Sequence, residues 1–307
     1  MFKHILLPLD GSEESESISK WVAGLARALG ARVTLLAVVN PVDRSLLDRV
    51  SRRGKGTPPP APETEEQGLE QAVEGAKRYL AAQERQIGAD VETLVVTGSP
   101  AEEIVTQARE VGADLIAMAT HRESALARGV LGSVTDRVLH SSHLPVMAVQ
   151  PKRGRSRSDD TVPAAIIVPL DGSELSEAAV PVGTELAKGC NAELVFMRAV
   201  HFPHFGMTAP GGVYAGDDAV EGQKAAAVDY LAGFVEQAKQ AGVQARAETF
   251  VGMPAARIIE ESNAIPNALA VMSTNGAGGL KRFVLGSVTD KVVRSSGNPV
   301  IVLPPGD

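Results

Sequence analysis

The chain repeats itself once, and that limits the folds open to it. Pro8-Leu9-Asp10-Gly11-Ser12-Glu13 returns as Pro169-Leu170-Asp171-Gly172-Ser173-Glu174. Val130-Leu131-Gly132-Ser133-Val134-Thr135-Asp136 returns as Val284-Leu285-Gly286-Ser287-Val288-Thr289-Asp290, and Ser141-Ser142-x-x-Pro145-Val146 as Ser295-Ser296-x-x-Pro299-Val300. The blocks keep their order, and the second copy is seven residues shorter between the first block and the other two. A unit of about 145 residues occurring twice is a duplicated domain, too long and too few for a solenoid. With 307 residues, 44% of them hydrophobic, each copy can bury its own core.

Within each copy, apolar runs of strand length alternate with helical periodicity. Phe2–Leu9 reads as a strand. Ile18, Trp21, Val22, Leu25 and Leu29 then share one helix face that Gly30 ends. Residues 32–39, 90–97, 114–118 and 144–149 read as further strands, with Pro145 at the start of the last. Helices marked by Leu69, Val73, Ala76 and Leu80, by Pro100, Ile104 and Ala108, and by Ser133 onward stand between them. The second copy follows the same order, with Pro181 predicting a kink or a late start in its first helix. This β-α alternation predicts two doubly wound α/β domains, each a five-stranded parallel sheet flanked by helices. The boundaries are 1–150 and 164–307. Residues 151–163, polar, basic and bracketed by prolines, form a linker. Ligands in such sheets bind beyond the carboxyl ends of the strands, at the switch point.

At that edge the second copy carries Ser273-Thr-Asn-Gly276-Ala-Gly-Gly-Leu-Lys-Arg-Phe-Val-Leu-Gly286-Ser287, between an apolar strand and a helix. Glycine lets backbone approach a phosphate, and a helix N-terminus offers free N–H groups and the positive end of its dipole. The spacing fits neither common phosphate loop. A glycine-rich surface loop without a ligand is the plain alternative.

A small residue, two residues, Gly276, nine residues, then Gly286-Ser287 resembles the nucleotide-binding motif of the universal stress protein family. The Leu-Asp-Gly-Ser opening, the Gly-x-Pro after the third strand and the closing Pro-Val strand extend the resemblance over both copies. It implies the fold read above, a stress-response role, and ATP as ligand, with or without Mg²⁺. It places Asp171 and Val200, or the neighbouring Ala199, around the adenine. Ser273 comes near the ribose, with Gly276, Gly286, Ser287 and Val288 around the phosphates. In the first copy the corresponding residues are Asp10, Val38, Gly132 and Ser133. Ala119 replaces Ser273 there and Arg122 replaces Gly276, so Arg122 either weakens the site or pairs with a phosphate. The expected outcome is a nucleotide held mainly in the second repeat. In this family dimers form through the last strands, which implies a pseudo-dimer of the two repeats or a homodimer of chains.

Chemistry beyond binding is thinly supplied. No lysine stands as in a P-loop, and no Ser/His/Asp order stands out. Asp10 and Asp171 could hold Mg²⁺ with phosphates, but no base for an attacking water is evident. A regulatory binding protein with no catalytic residues is the leading reading. A slow ATP hydrolase and a nucleotide-free interaction scaffold are the alternatives.

His201 and His204, with Asp217 or Asp218, lack a clear third ligand and give no metal site. Residues 40–66, rich in arginine and proline, read as a surface loop or a lid over the nucleotide. A net charge of −7 argues against a nucleic-acid surface. The absence of a signal-like start or an apolar span predicts a cytoplasmic protein off the membrane, and the single Cys190 excludes an internal disulfide.

Overall fold

A computed structural model describes residues 2–41, 64–88, 90–120, 131–150, 162–200, 216–274 and 285–305, with residues 216–219 described by backbone alone. In the first repeat, β1 (His4–Pro8), β2 (Arg32–Val39), β3 (Val91–Thr97), β4 (Leu115–Ala119) and β5 (Val146–Val149) alternate with helices. These are α1 (Glu13–Glu16), α2 (Ser19–Leu29), α3 (Glu65–Ile87), α4 (Pro100–Glu110) and α5 (Ser133–Ser141). The second repeat supplies β6 (Ala165–Pro169), α6 (Glu174–Glu177), α7 (Ala179–Cys190), β7 (Glu193–Val200) and α8 (Gly216–Gln240). It closes with β8 (Ala245–Val251), α9 (Pro254–Ala264), β9 (Ala268–Ser273), α10 (Ser287–Ser295) and β10 (Val300–Leu303).

Every strand pairing within a repeat is parallel, in the order β3-β2-β1-β4-β5 and its repeat-two equivalent. The two five-stranded sheets are joined. β5 and β10 pair antiparallel, with Met147 opposite Ile301, so the ten strands form one continuous sheet. Helices α2 and α7 also touch across the join. From α5 and α10, Arg294 Nη2 lies 3.3 Å from Asp136 Oδ1.

Strand alternation sorts the side chains into two layers. Ile5 and Leu7 face Trp21, Leu25 and Leu80 on one side, together with Phe196 and Leu231 of the second repeat. Leu6 and Leu36 face Ile104 and Val138 on the other, where Ile258 and Val292 do the same for repeat two. Cys190 is buried, and burial pushes its thiol up to about 11, so it is an inert core residue.

Three local details depart from the periodicity. The predicted first helix is broken in both repeats: Ser12 and Ser173 cap the four-residue α1 and α6, and a new helix begins at Ser19 or Ala179. Pro181 falls in the first turn of α7, where its missing N–H has no partner to lose. Repeat one shows the same break without a proline, so the late start belongs to the Asp-Gly-Ser turn. Strand β5 begins at Val146, after Pro145, which serves only as acceptor, taking Ile116 N–H at 3.0 Å. Of the arginine-rich loop 40–66, residues 42–63 lie outside those described and α3 already begins at Glu65; residues 151–161 of the linker 151–163 and the His201/His204 pair lie outside them as well.

Candidate functional site

A cavity of about 540 Å³ opens beyond the carboxyl ends of β6, β7 and β9, where the strand order reverses. Each wall comes from a separate element. At the end of β6, Asp171 begins a tight turn: its Oδ1 accepts Ser173 N–H at 2.9 Å and Ser173 Oγ–H at 2.6 Å. Gly172 completes that turn at φ +91, a conformation side chains avoid. Ser173 in turn caps α6 by accepting Ser176 N–H at 3.1 Å. Burial raises the Asp171 carboxyl, but the Ser173 hydroxyl and N–H and the Ser176 hydroxyl outweigh it and hold the group below the usual carboxylate range. Asp171 is thus a fixed anion at the lip of the cavity.

Strand β7 contributes Met197, Arg198, Ala199 and Val200. Phe250 of β8 and Pro254 and Ile258 of α9 make the apolar side, while Gln223, Ala226 and Ala227 of α8 cover another. Opposite Asp171 stand Met272 and Ser273 at the end of β9, and Gly286, Val288 and Thr289 at the start of α10. Gly286 is the N-cap of α10 in extended backbone (φ −60, ψ 147), with no side chain closing the cap. The first N–H groups of α10 therefore have no side-chain acceptor at the cap, which is the chemistry an anion satisfies. The Thr289 hydroxyl donates to the Ser273 carbonyl at 3.1 Å and pins this helix start to the strand end.

The geometry thus brings together Asp171, Val200, Ser273, Gly286 and Val288 around one cavity, with Ala199 beside Val200. Ser287 opens α10 but does not line the cavity. Gly276 and Arg122 lie outside the described residues. Repeat one reproduces the framework. Asp10 Oδ1 accepts Ser12 N–H and Oγ–H at 3.0 and 2.6 Å, Gly132 caps α5 without a side-chain bond, and Thr135 donates to the Ala119 carbonyl at 3.1 Å. Val38 is half-buried on β2, and Ser133 opens α5. The repeats differ in exposure: Gly11 and Ser12 are buried, whereas Gly172 and Ser173 are exposed.

These two loops, one at the end of a first strand and one at the start of a last helix, invite comparison with known proteins. A sequence model described as the universal stress protein family matches residues 1–150 and 164–304. The chain belongs to the universal stress protein family. A universal stress protein of Mycobacterium tuberculosis is 27% identical over 317 residues, covering 97% of this chain and 96% of its own length. One from Methanocaldococcus jannaschii is 33% identical over 161 residues, half of this chain and 97% of its own length, the size of a single repeat. A universal stress protein from Archaeoglobus fulgidus matches the whole fold with a TM-score of 0.69 at 21% identity, covering 99% of this chain and 98% of its own.

Two cavity residues of this universal stress protein went unforeseen in the sequence. Thr289 was visible inside the repeated Val-Leu-Gly-Ser-Val-Thr-Asp block, but its role depends on the strand end it reaches. Arg198 occupies the place of Ala37 in the duplicate, a difference legible once the copies are aligned through their Asp-Gly-Ser turns. No helix among the described residues is long and apolar enough to cross a membrane. No cluster of three metal-ligating side chains occurs among them either.

Proposed function

We propose that the chain is a regulatory nucleotide-binding protein of the stress response, holding ATP, with or without Mg²⁺, mainly in the second repeat and turning it over little or not at all. One observation carries this reading: the uncapped N-terminus of α10 opens into the same cavity that Asp171 and the end of β7 enclose. Phosphates fit the N–H groups at the start of α10, where Gly286 and Val288 line the cavity and Ser287 lies between them in the chain. The adenine fits the apolar wall beside Ala199 and Val200, and the ribose lies between Asp171 and Ser273. Gly276 belongs to the same loop by its spacing. The cavity is large enough for a nucleotide and mostly apolar with a few polar groups, as small-molecule sites are.

The first repeat holds nucleotide weakly or not at all in this reading. Its uncapped helix start matches that of the second, so the helix does not make the difference. Ala119 and Arg122 replace Ser273 and Gly276, and Gly11 and Ser12 of the first turn are buried.

Calorimetric titration with MgATP tests the proposal, with the Gly286→Arg variant as control. The expected result is one strong site in the native chain, lost in the variant, with ADP release too slow to follow binding. Steady ADP production that stops in the variant would replace this with the hydrolase reading. Unchanged behaviour in the variant, with no binding in either, would leave an interaction scaffold.

A further inference from the structure

Arg198 is the only basic side chain among the described residues lining the cavity. Its guanidinium carbon stands 4.2 Å from the centre of the Tyr230 ring. Tyr230 is itself held in place, its hydroxyl donating to Glu177 Oε1 at 2.7 Å. On its other side Arg198 closes on Gly172, where a Cβ would come within 2.8 Å of Nη2. The head group is therefore positioned, yet among the described residues it has no hydrogen-bond acceptor and no carboxylate within ion-pair distance. Repeat one keeps the tyrosine–glutamate pair, with Tyr79 donating to Glu16 Oε1 at 3.0 Å, but has Ala37 where the arginine stands. Among the described residues the cation has no counterpart at the matching position of repeat one, so it is not a requirement of the packing.

Its position limits what it can meet. Strands β9, β6 and β7 are neighbours in the sheet, so the β7 backbone at Arg198 lies about 10 Å across from the Ser273 end of β9 at ordinary strand spacing, with the Arg198 head group beside Tyr230 and Gly172. A nucleotide with its phosphates on the start of α10 extends its base towards β7. A guanidinium presents parallel N–H donors and no acceptor. Guanine offers two adjacent acceptors, O6 and N7, to such a fork, whereas adenine sets an amino donor beside N7.

We propose that Arg198 is a base-selecting residue and that the second cavity takes guanine nucleotides as well as adenine nucleotides. This rests on the nucleotide reading above.

The test is calorimetric titration of the full chain and of Arg198→Ala with MgATP and MgGTP, after thermal melts show that both are folded. The native chain is expected to bind GTP within about tenfold of ATP; the variant should lose about tenfold or more for GTP and less than about threefold for ATP. Arg198→Lys keeps the charge but not the fork and should recover little of the GTP affinity. If Arg198→Ala does not fold, the lysine variant decides by the same GTP-to-ATP ratio. Equal losses for both nucleotides, no loss for either, or a native chain that binds ATP but not GTP would overturn the inference and leave ATP binding intact. A native chain that binds neither nucleotide would remove the nucleotide reading as well.

Discussion

Gly172 answers two demands at once: its φ of +91 and the 2.8 Å that a Cβ would leave to the Arg198 head group. Gly172→Ala should therefore cost about 1 kcal/mol in urea unfolding, the usual scale for a side chain forced into that region. It should also displace Arg198 and weaken GTP binding more than ATP binding in the same step. Next to it, the Asp171 carboxylate is held below its ordinary range by Ser173 and Ser176 against the opposing effect of burial. A depressed acid stabilises the fold above its unfolded value and loses that contribution as pH falls through its folded value. Thermal melts should accordingly show native protein above Asp171→Asn at neutral pH, with the gap closing below about pH 4. A gap that persists in acid would mean that the asparagine disturbs the turn by shape and not by charge.

Among elements, α10 and α5 are a matched pair, each with a glycine cap and a threonine tied to the end of the preceding strand. Thr289→Val and Thr135→Val should each cost about 1 kcal/mol, the net value of a hydrogen bond whose acceptor is left behind. Only Thr289→Val should also lower ATP affinity, and a titration of both variants separates the two effects. Much of this was legible in the sequence. The duplication, the strand and helix order and the glycine-led helix start at Gly286 follow from local pattern, because strand ends and helix caps are set by nearby residues, whereas Asp171 and Ser273 enter the site through the family resemblance. The break between α1 and α2 was not, since the helical spacing from Ile18 onward hides a turn in which Ser12 Oγ accepts Ser15 N–H and the Ser15 and Ser17 hydroxyls donate to the Ser12 and Glu14 carbonyls. Nor was Arg198, whose environment is built from β7, α8 and the Gly172 turn, three segments distant in sequence.

At the scale of the molecule, the last strands of the repeats make one sheet, and the buried pair Met147–Ile301 lies at its centre. Ile301→Asp would place a charge where neither face reaches water, a change among the most destabilising available. Calorimetry should show one cooperative transition for the native chain, and a lowered or divided one for the variant. A single unshifted transition would mean that the repeats do not depend on their join. The join also leaves the outer strand ends of each repeat far from the shared centre, free to diverge while the centre stays fixed.

On the proposed function, the second repeat holds a nucleotide and the first holds one weakly or not at all. The most direct test is to denature freshly purified full-length protein and count the released nucleotide by anion-exchange chromatography. About one ATP per chain is expected, the stoichiometry of a single occupied site. Two per chain would contradict the asymmetry, and none, with no binding on titration with MgATP, would contradict the nucleotide reading itself.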